Sequence, residues 1–363
     1  MENPIKDVLK LAVDSNASDI HIKTGALIRF RIDGGLVECD FKATKDIVDK
    51  FLDIMLNDAL FEKYKSVGDV DISYVEEGVG RFRVNVHKQR GETGITMRHV
   101  KSQILDFNSL GLPPQIKKIA ELERGIIFLT GTTGSGKSTT LASIINYINE
   151  HKSKHIITIE DPIEYEFFDD KSFIEQREVG LDTVSFDSAF IHSLRQDPDI
   201  IVVGEMRSKE SFDAALKAAD TGHLIFSTLH TMNASQSINR LLDFYDASEH
   251  LALRKSLANS LGAIISQRLI PKATGKGLMP AVEIMINSPI IQSLLSENKL
   301  DKLASAIEGS KQEGMQTFNQ ALVDLVNDGT ITEEAAIKFA TNPEALKMNL
   351  KGIFLGGEGK ILG

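Results

Sequence analysis

Four things are scarce in this sequence, and each scarcity removes a class of function. No uninterrupted apolar run is long enough to span a bilayer. The start, Met1-Glu2-Asn3-Pro4, has no basic segment followed by an apolar one, so a secretory leader is not expected. Cys39 is the single cysteine, which excludes an internal disulfide and any cysteine-rich zinc site. Positive charge is short as well: 51 acidic residues against 41 basic ones give a formal charge of −10. A protein that grips phosphate backbones usually carries a basic surface, so nucleic acid is not the expected partner. Internal repeats and low-complexity tracts are also missing, apart from a glycine-rich tail after Leu355. A cytoplasmic address is the expectation that follows.

What remains is an ordinary globular composition, 42% hydrophobic and 25% charged over 363 residues. That length buries a substantial core and suits two domains or one large one. Ile5, Val8, Leu9 and Ala12 recur at helical spacing and predict an amphipathic helix over 4–15. Alternating segments follow at Ile20/Ile22 and at Ile28/Phe30/Ile32, the latter ending in the turn Asp33-Gly34-Gly35. A helical pattern occupies 44–64. Strands are expected at 70–74, at 81–87 after a Gly78/Gly80 turn, and at 94–100. Residues 1–100 therefore read as a small α+β domain with a mostly antiparallel sheet. The stretch 101–114 lacks periodicity, contains Gly111-Leu112-Pro113-Pro114, and is the expected linker. Over 115–363 the style changes. Apolar runs at 126–129, 156–159, 200–203 and 224–226 alternate with helical segments, which predicts an α/β domain with a parallel sheet covered on both faces. The last hundred residues read as mainly helical, as over 315–327.

The sharpest chemical signal is Gly131-Thr132-Thr133-Gly134-Ser135-Gly136-Lys137-Ser138, which fits the phosphate-loop pattern at every fixed position. Glycines let backbone N–H groups turn inward around a β-phosphate, Lys137 supplies a cation to β- and γ-oxygens, and the Ser138 hydroxyl suits Mg²⁺. The helix that opens near Lys137 adds its dipole to anion binding. Asp199-Ile200-Ile201-Val202-Val203-Gly204-Glu205 has the form of the second acidic strand of such enzymes, with Gly204 at the usual Asp position and Glu205 left to hold magnesium through water. Glu160-Asp161-Pro162-Ile163-Glu164 sets three carboxylates after an apolar run, where α/β proteins bind ligands. The bland alternative for it is a solvated acidic turn. His223 and His230 flank the strand 224–228 and stand about 20 Å apart at about 3.3 Å per residue, too far to chelate one metal together. Arg81 and Arg83 lie opposite Phe82, Val84 and Val86, and Arg98 lies opposite Met97; a solvated basic face is the default for them.

Taken together, these segments resemble the secretion ATPase superfamily, and within it the type IV pilus retraction ATPases of the PilT/PilU kind. The resemblance runs over almost the whole chain, through Ala17–Ile22, Arg31-Ile32-Asp33-Gly34, Gly80–Asn85, Gly131–Thr140 (including Thr139), Ile159–Glu164, Ser193–Asp199, Gly204-Glu205-Met206-Arg207, Thr221–Thr231, Gln267-Arg268-Leu269 and Gly314–Phe318. It implies a PAS-like first domain, a RecA-like ATPase domain, ATP and Mg²⁺ as ligands, and a homohexameric ring. It also implies that Glu160–Glu164 is an acidic box with Glu164 as catalytic carboxylate. By the same resemblance the histidines of 223–230 lie near the nucleotide, and first-domain arginines, among them Arg83 and Arg98, reach ATP.

The implied activity is an ATP-driven motor for pilus retraction and twitching motility, peripheral to the inner membrane at the pilus base. Its implied partners are an inner-membrane platform protein and a paralogous pilus ATPase. The absence of a four-cysteine zinc motif favours the retraction class over the assembly class. One segment departs from the pattern. Where retraction ATPases often carry Ala-Ile-Arg-Asn-Leu-Ile-Arg-Glu, residues 290–297 read Ile-Ile-Gln-Ser-Leu-Leu-Ser-Glu, with Gln292 and Ser296 replacing both arginines. An accessory ATPase and a nucleotide-gated scaffold with little turnover are the alternatives this leaves open, with a nucleic-acid motor behind them.

Overall fold

The computed structural model describes residues 4–32, 34–100 and 103–353. Asp33 of the first-domain turn, Lys101 and Ser102 of the expected linker, and the glycine-rich tail lie outside the described residues. The chain divides into two compact units, 1–103 with 162–166, and 104–161 with 167–363.

In the first unit the apolar stripe of the opening segment forms the helix Pro4–Asp14, with Ile5, Val8, Leu9 and Ala12 buried. Among the described residues six strands follow it into one antiparallel sheet: β1 Asp19–Lys23, β2 Leu27–Ile32, β3 Gly35–Lys42, β4 Asp69–Glu76, β5 Gly80–Gln89 and β6 Glu92–His99. Their order is β3-β2-β1-β6-β5-β4. Ile20, Ile22, Phe30, Phe82, Val84, Val86, Ile95 and Met97 all bury on one face, as strict alternation requires. Two features differ from the sequence reading. The helical pattern of 44–64 is two helices, Lys45–Met55 and Asp58–Val67, because the Asn57 side chain accepts from Leu60 N–H and starts a second helix. Strand β3 was not visible as a strand. It sits at the sheet edge, mostly exposed on both faces, and so carries no clear alternation.

The second unit holds a seven-stranded sheet among the described residues: β7 Gly125–Thr130, β8 His155–Glu160, β9 Phe173–Glu178, β10 Ile200–Glu205, β11 Leu224–Leu229, β12 Leu261–Pro271 and β13 Leu278–Ile286. The order is β13-β12-β7-β11-β10-β8-β9. Every neighbouring pair is parallel except β12–β13. Both faces of this sheet are packed. Ile126, Phe128, Ile157, Ile201 and Phe212 belong to one apolar cluster, and Ile127, Leu129, Ile144, Ile156 and Val202 to the other. That burial is why the strands read as continuous apolar runs. The stretch expected to be mainly helical opens instead with the β12–β13 hairpin, and helices take over only from Pro289. The hairpin was legible in retrospect: Ile264, Ile265 and Ile270 are β-branched, and a turn at Gly275 and Gly277 joins the strands. Among the described residues no helix is long and apolar enough to cross a membrane.

Glu283, in the middle of β13, is the most consequential buried charge of this unit. Its carboxylate accepts from Ala234 N–H at 2.9 Å, where the helix Ala234–Leu242 begins, and from Phe318 N–H, where the helix Phe318–Asn327 begins. Burial pushes the carboxyl up against the opposing pull of those N–H groups and of Arg268. The folded state therefore keeps a proton that the unfolded chain releases, so this contribution to stability is full below about 4.5 and declines as pH rises toward the folded value. Glu283→Gln keeps an acceptor without the charge and is expected to remove that decline, seen as a flatter melting temperature between acidic and neutral pH. Glu283→Leu strands both N–H groups and is expected to cost roughly 2–4 kcal/mol in chemical denaturation.

Candidate functional site

Strand β7 is central and buried along its whole length, with β11 and β12 on either side. The chain leaves its carboxyl end at Gly131 and enters the helix Lys137–His151 after one tight turn. The turn can be built only with glycine at its corners. Gly131 has φ 146°, and a Cβ there would stand 2.5 Å from the carbonyl oxygen of Gln267. Gly136 has φ 87°, and a Cβ there would stand 2.6 Å from Gln267 Nε2. Lys137 opens the helix and is nearly buried, its Nζ donating to the carbonyls of Gly131 (2.7 Å) and Thr132 (3.1 Å). Its charge is thus delivered to the loop rather than to solvent. Ser135 Oγ is buried and finds no hydrogen-bond partner among the described residues. Thr132, Thr133 and Gly134 form the exposed tip, and Ser138 and Thr139 are half-buried in the first turn of the helix.

Because β8, β10 and β11 run parallel to β7, their carboxyl ends reach the same edge of the sheet. Glu160 ends β8 and accepts from Thr158 Oγ1 (2.7 Å) and Gln176 Nε2 (3.1 Å). Glu205 ends β10 and pairs with Arg207 at 2.6 Å, a contact that raises the guanidinium's pKa. The register of β10 against β11 slips between Val203 and Glu205, and Thr228 Oγ1 donates to Gly204 O across the slip (2.6 Å). A side chain at position 204 would press on the Phe186 ring and on Ile159 O, which accounts for a glycine where the second acidic strand usually carries Asp. His230 follows β11 and is exposed at this edge, one residue beyond the Leu229 carbonyl that accepts from Gly131 N–H.

The structure does not bring every predicted residue to that edge. His223 stands at the other end of β11, where Nδ1 lies 3.0 Å from Ala218 O, beside the end of the helix Lys209–Asp220. Six strand residues, about 20 Å, separate it from the loop edge. Parallel strands thus place 230 at the loop edge and 223 at the opposite one. Glu164 is exposed within 162–166, the five residues that group with the first unit. Arg83 and Arg98 are register partners on β5 and β6 of that unit. Both are exposed, and Arg98 is tied to Asp19 at 2.8 Å. Burial alone would raise the Asp19 carboxyl, but hydrogen bonds from Ser18 and Arg98 hold it below its ordinary value.

The type II/IV secretion system protein family matches residues 1–331. The chain belongs to this family. It is 41% identical to the type IV pilus retraction ATPase PilT of Pseudomonas aeruginosa over 94% of this chain and 99% of that one. To the type IV pilus ATPase PilU of the same organism it is 36% identical, over 97% of this chain and 91% of the relative. Among solved structures, the pilus retraction motor PilT with bound ADP superposes with a TM-score of 0.88 at 43% identity, covering 94% of this chain and 98% of that one. The fold is thus that of the secretion ATPases of this family, an N-terminal domain followed by a RecA-like ATPase domain.

For a nucleotide and magnesium, the residues present fit. The loop offers glycine-built N–H groups, an inward ammonium and the buried, unpartnered Ser135 hydroxyl. Among the described residues no group of three or more His, Cys, Asp or Glu could hold a metal, and magnesium on a nucleotide needs none, because phosphate oxygens and water supply most of its shell. Residue-by-residue reading missed Arg207, the partner of Glu205, and Gln267, which arrives from β12. Their signals were an Arg two residues past an acidic strand end and an amide in the middle of an apolar strand. Gly136→Ala tests the turn directly. It is expected to weaken ADP binding at least ~10-fold, measured by titration with a fluorescent analogue, because the loop must shift to accept both a Cβ and a positive φ.

Proposed function

We propose that this protein is a Mg-dependent ATP-hydrolysing motor that works as a homohexamer and powers type IV pilus retraction, hence twitching motility. The observation that carries the proposal is the edge where the Gly131–Gly136 turn, Lys137, Glu205, Glu160 and His230 come together at the ends of parallel strands. The names of the relatives supply the biological setting.

In this reading the loop N–H groups of 131–136 and the Lys137 ammonium bind the phosphates, with Lys137 exchanging its contacts to Gly131 O and Thr132 O for phosphate oxygens. The Ser138 hydroxyl directly, and Glu205 through water, would hold magnesium, which would supply positive charge to the phosphates. A carboxylate, Glu164 or Glu205, orients and deprotonates the attacking water, with Glu160 as the neighbouring acidic group. Arg207, paired with Glu205 at 2.6 Å, restrains the rotamers of that carboxylate. His230 is proposed to sense the terminal phosphate, and His223 to serve the fold. Arg83 and Arg98 are proposed to steady phosphoryl charge in the ring. Loss of the γ-phosphate is proposed to turn an N-terminal domain (1–100) against an ATPase domain (115–363) about the linker 101–114. The ring would act at the cytoplasmic face of the inner membrane on a platform protein, beside a paralogous pilus ATPase.

A second reading, an accessory ATPase of the PilU kind, is favoured by one segment. The helix Pro289–Ser296 carries Gln292 and Ser296 where retraction ATPases often carry arginine, and Gln292 turns back to Asn287 O. Turnover by purified protein of known oligomeric mass separates the readings. Lys137→Ala is expected to lower ATP hydrolysis at least ~100-fold, and Glu205→Gln to keep ATP binding within about threefold while losing most turnover. Unchanged turnover in Lys137→Ala would overturn the assignment of the loop. A wild-type hexamer that binds ATP without hydrolysing it would favour the accessory reading.

A further inference from the structure

Beyond the loop itself, one side chain reaches it from far along the chain. Gln267 lies on β12, 5% exposed, in a strand that is otherwise apolar on either side of Ser266 and Arg268. Both ends of its amide are engaged. Nε2 donates to Ser135 O at 2.8 Å, inside the turn, and Oε1 accepts from Thr140 Oγ1 at 2.8 Å, in the first turn of the following helix. Its own backbone carbonyl is the group on which a Cβ at Gly131 would collide, and its amide nitrogen is the one a Cβ at Gly136 would strike. The turn is thus glycine-built partly because Gln267 fills the space behind it. One residue earlier, Ser266 Oγ accepts from Thr130 Oγ1 at 2.8 Å, so β12 grips the chain before the loop, within it and after it.

We infer that Gln267 is a positioning residue for nucleotide binding: it holds the Ser135 carbonyl back and fixes the helix start, so that the loop N–H groups face an anion before one arrives. The inference rests on the proposal that the loop binds ATP. The physical argument concerns the carbonyl. A phosphate loop works only if its peptides point N–H inward and C=O outward, and a single peptide flip would present an oxygen to the phosphate. A donor behind Ser135 O opposes that flip. Because Thr140 pins the opposite end of the amide, the Nε2 group cannot rotate away without stranding a buried hydroxyl. Gln267 touches no reacting atom, so it acts on affinity and leaves chemistry to the loop and the carboxylates.

The test compares Gln267→Leu, Thr140→Val and Thr140→Ser in the full-length protein. Titration with fluorescent ADP, steady-state ATP turnover and melting temperature without nucleotide are read on each. Gln267→Leu is expected to weaken ADP binding about tenfold and to raise KM by a similar factor, with kcat within about threefold. Thr140→Val is expected to move both in the same direction by about threefold to fivefold, and the double variant to fall short of the product of the single effects. Thr140→Ser keeps the hydroxyl and is expected to restore parental affinity. A lowered melting temperature with parental affinity in Gln267→Leu would show a merely structural role and overturn the inference, as would a Thr140→Ser variant as weak as Thr140→Val. If the parent binds no nucleotide, or Lys137→Ala turns over ATP as the parent does, the assignment of the loop itself fails and the inference fails with it. If Lys137→Ala abolishes turnover while Gln267→Leu keeps parental affinity, only the role of Gln267 fails.

Discussion

The arrangement of the second unit depends on the common direction of β7, β11, β10 and β8. Burial on both faces makes these strands apolar throughout and leaves no polar face to solvate, so helices must cross over between them, and crossovers impose parallelism. Parallelism then sends every carboxyl end to one edge. The loop after Thr130, Glu160, Glu205 and His230 occupy that edge for a single reason, although as many as a hundred residues separate them in the chain. The same reason sends His223 to the opposite edge. Two histidines of one short motif therefore meet different surroundings, and the direction of the strand between them, rather than nearness in sequence, decides which of them stands at the loop edge.

What the sequence made legible follows from how local each signal was. The loop, the central strands and the buried face of the first-unit sheet were readable because glycine spacing, apolar runs and two-residue alternation are properties of neighbouring residues. Strand β3 was not readable, since an edge strand exposed on both faces carries no such alternation. The β12–β13 hairpin was passed over because short β-branched apolar runs beside a helical region do not declare their period. Gln267 was invisible as a residue with a task for another reason. Its partners, Ser135 and Thr140, lie more than 120 residues away, and only the close packing of β12 on β7 makes them neighbours.

The basic face of the first unit shows how two residues equivalent by pattern can meet different surroundings. Arg98 and Arg83 stand opposite each other on β6 and β5, equivalent by pattern. Asp19 breaks the equivalence. Its carboxylate, buried and ionised through Ser18 and Arg98, holds the Arg98 guanidinium at 2.8 Å, so that Arg98 spends part of its charge on the sheet. Arg83, exposed like Arg98, sits one strand further from that carboxylate.

The β12–β13 hairpin ties these themes together. One of its strands braces the loop through Gln267 and Ser266. The other, through Glu283, holds the first N–H groups of the helix Ala234–Leu242, which follows His230, and of the helix Phe318–Asn327. Ser266 and Glu283 are register partners, so the brace on the loop and the clamp on the helix behind His230 are adjacent rungs of one antiparallel ladder. The loop and the start of the helix after His230 are thus joined through two strands bound to each other along their length. In a sheet otherwise parallel, the antiparallel edge supplies a stiff support beside the loop, and the carboxylates ranged along β10 and β8 have no part in it.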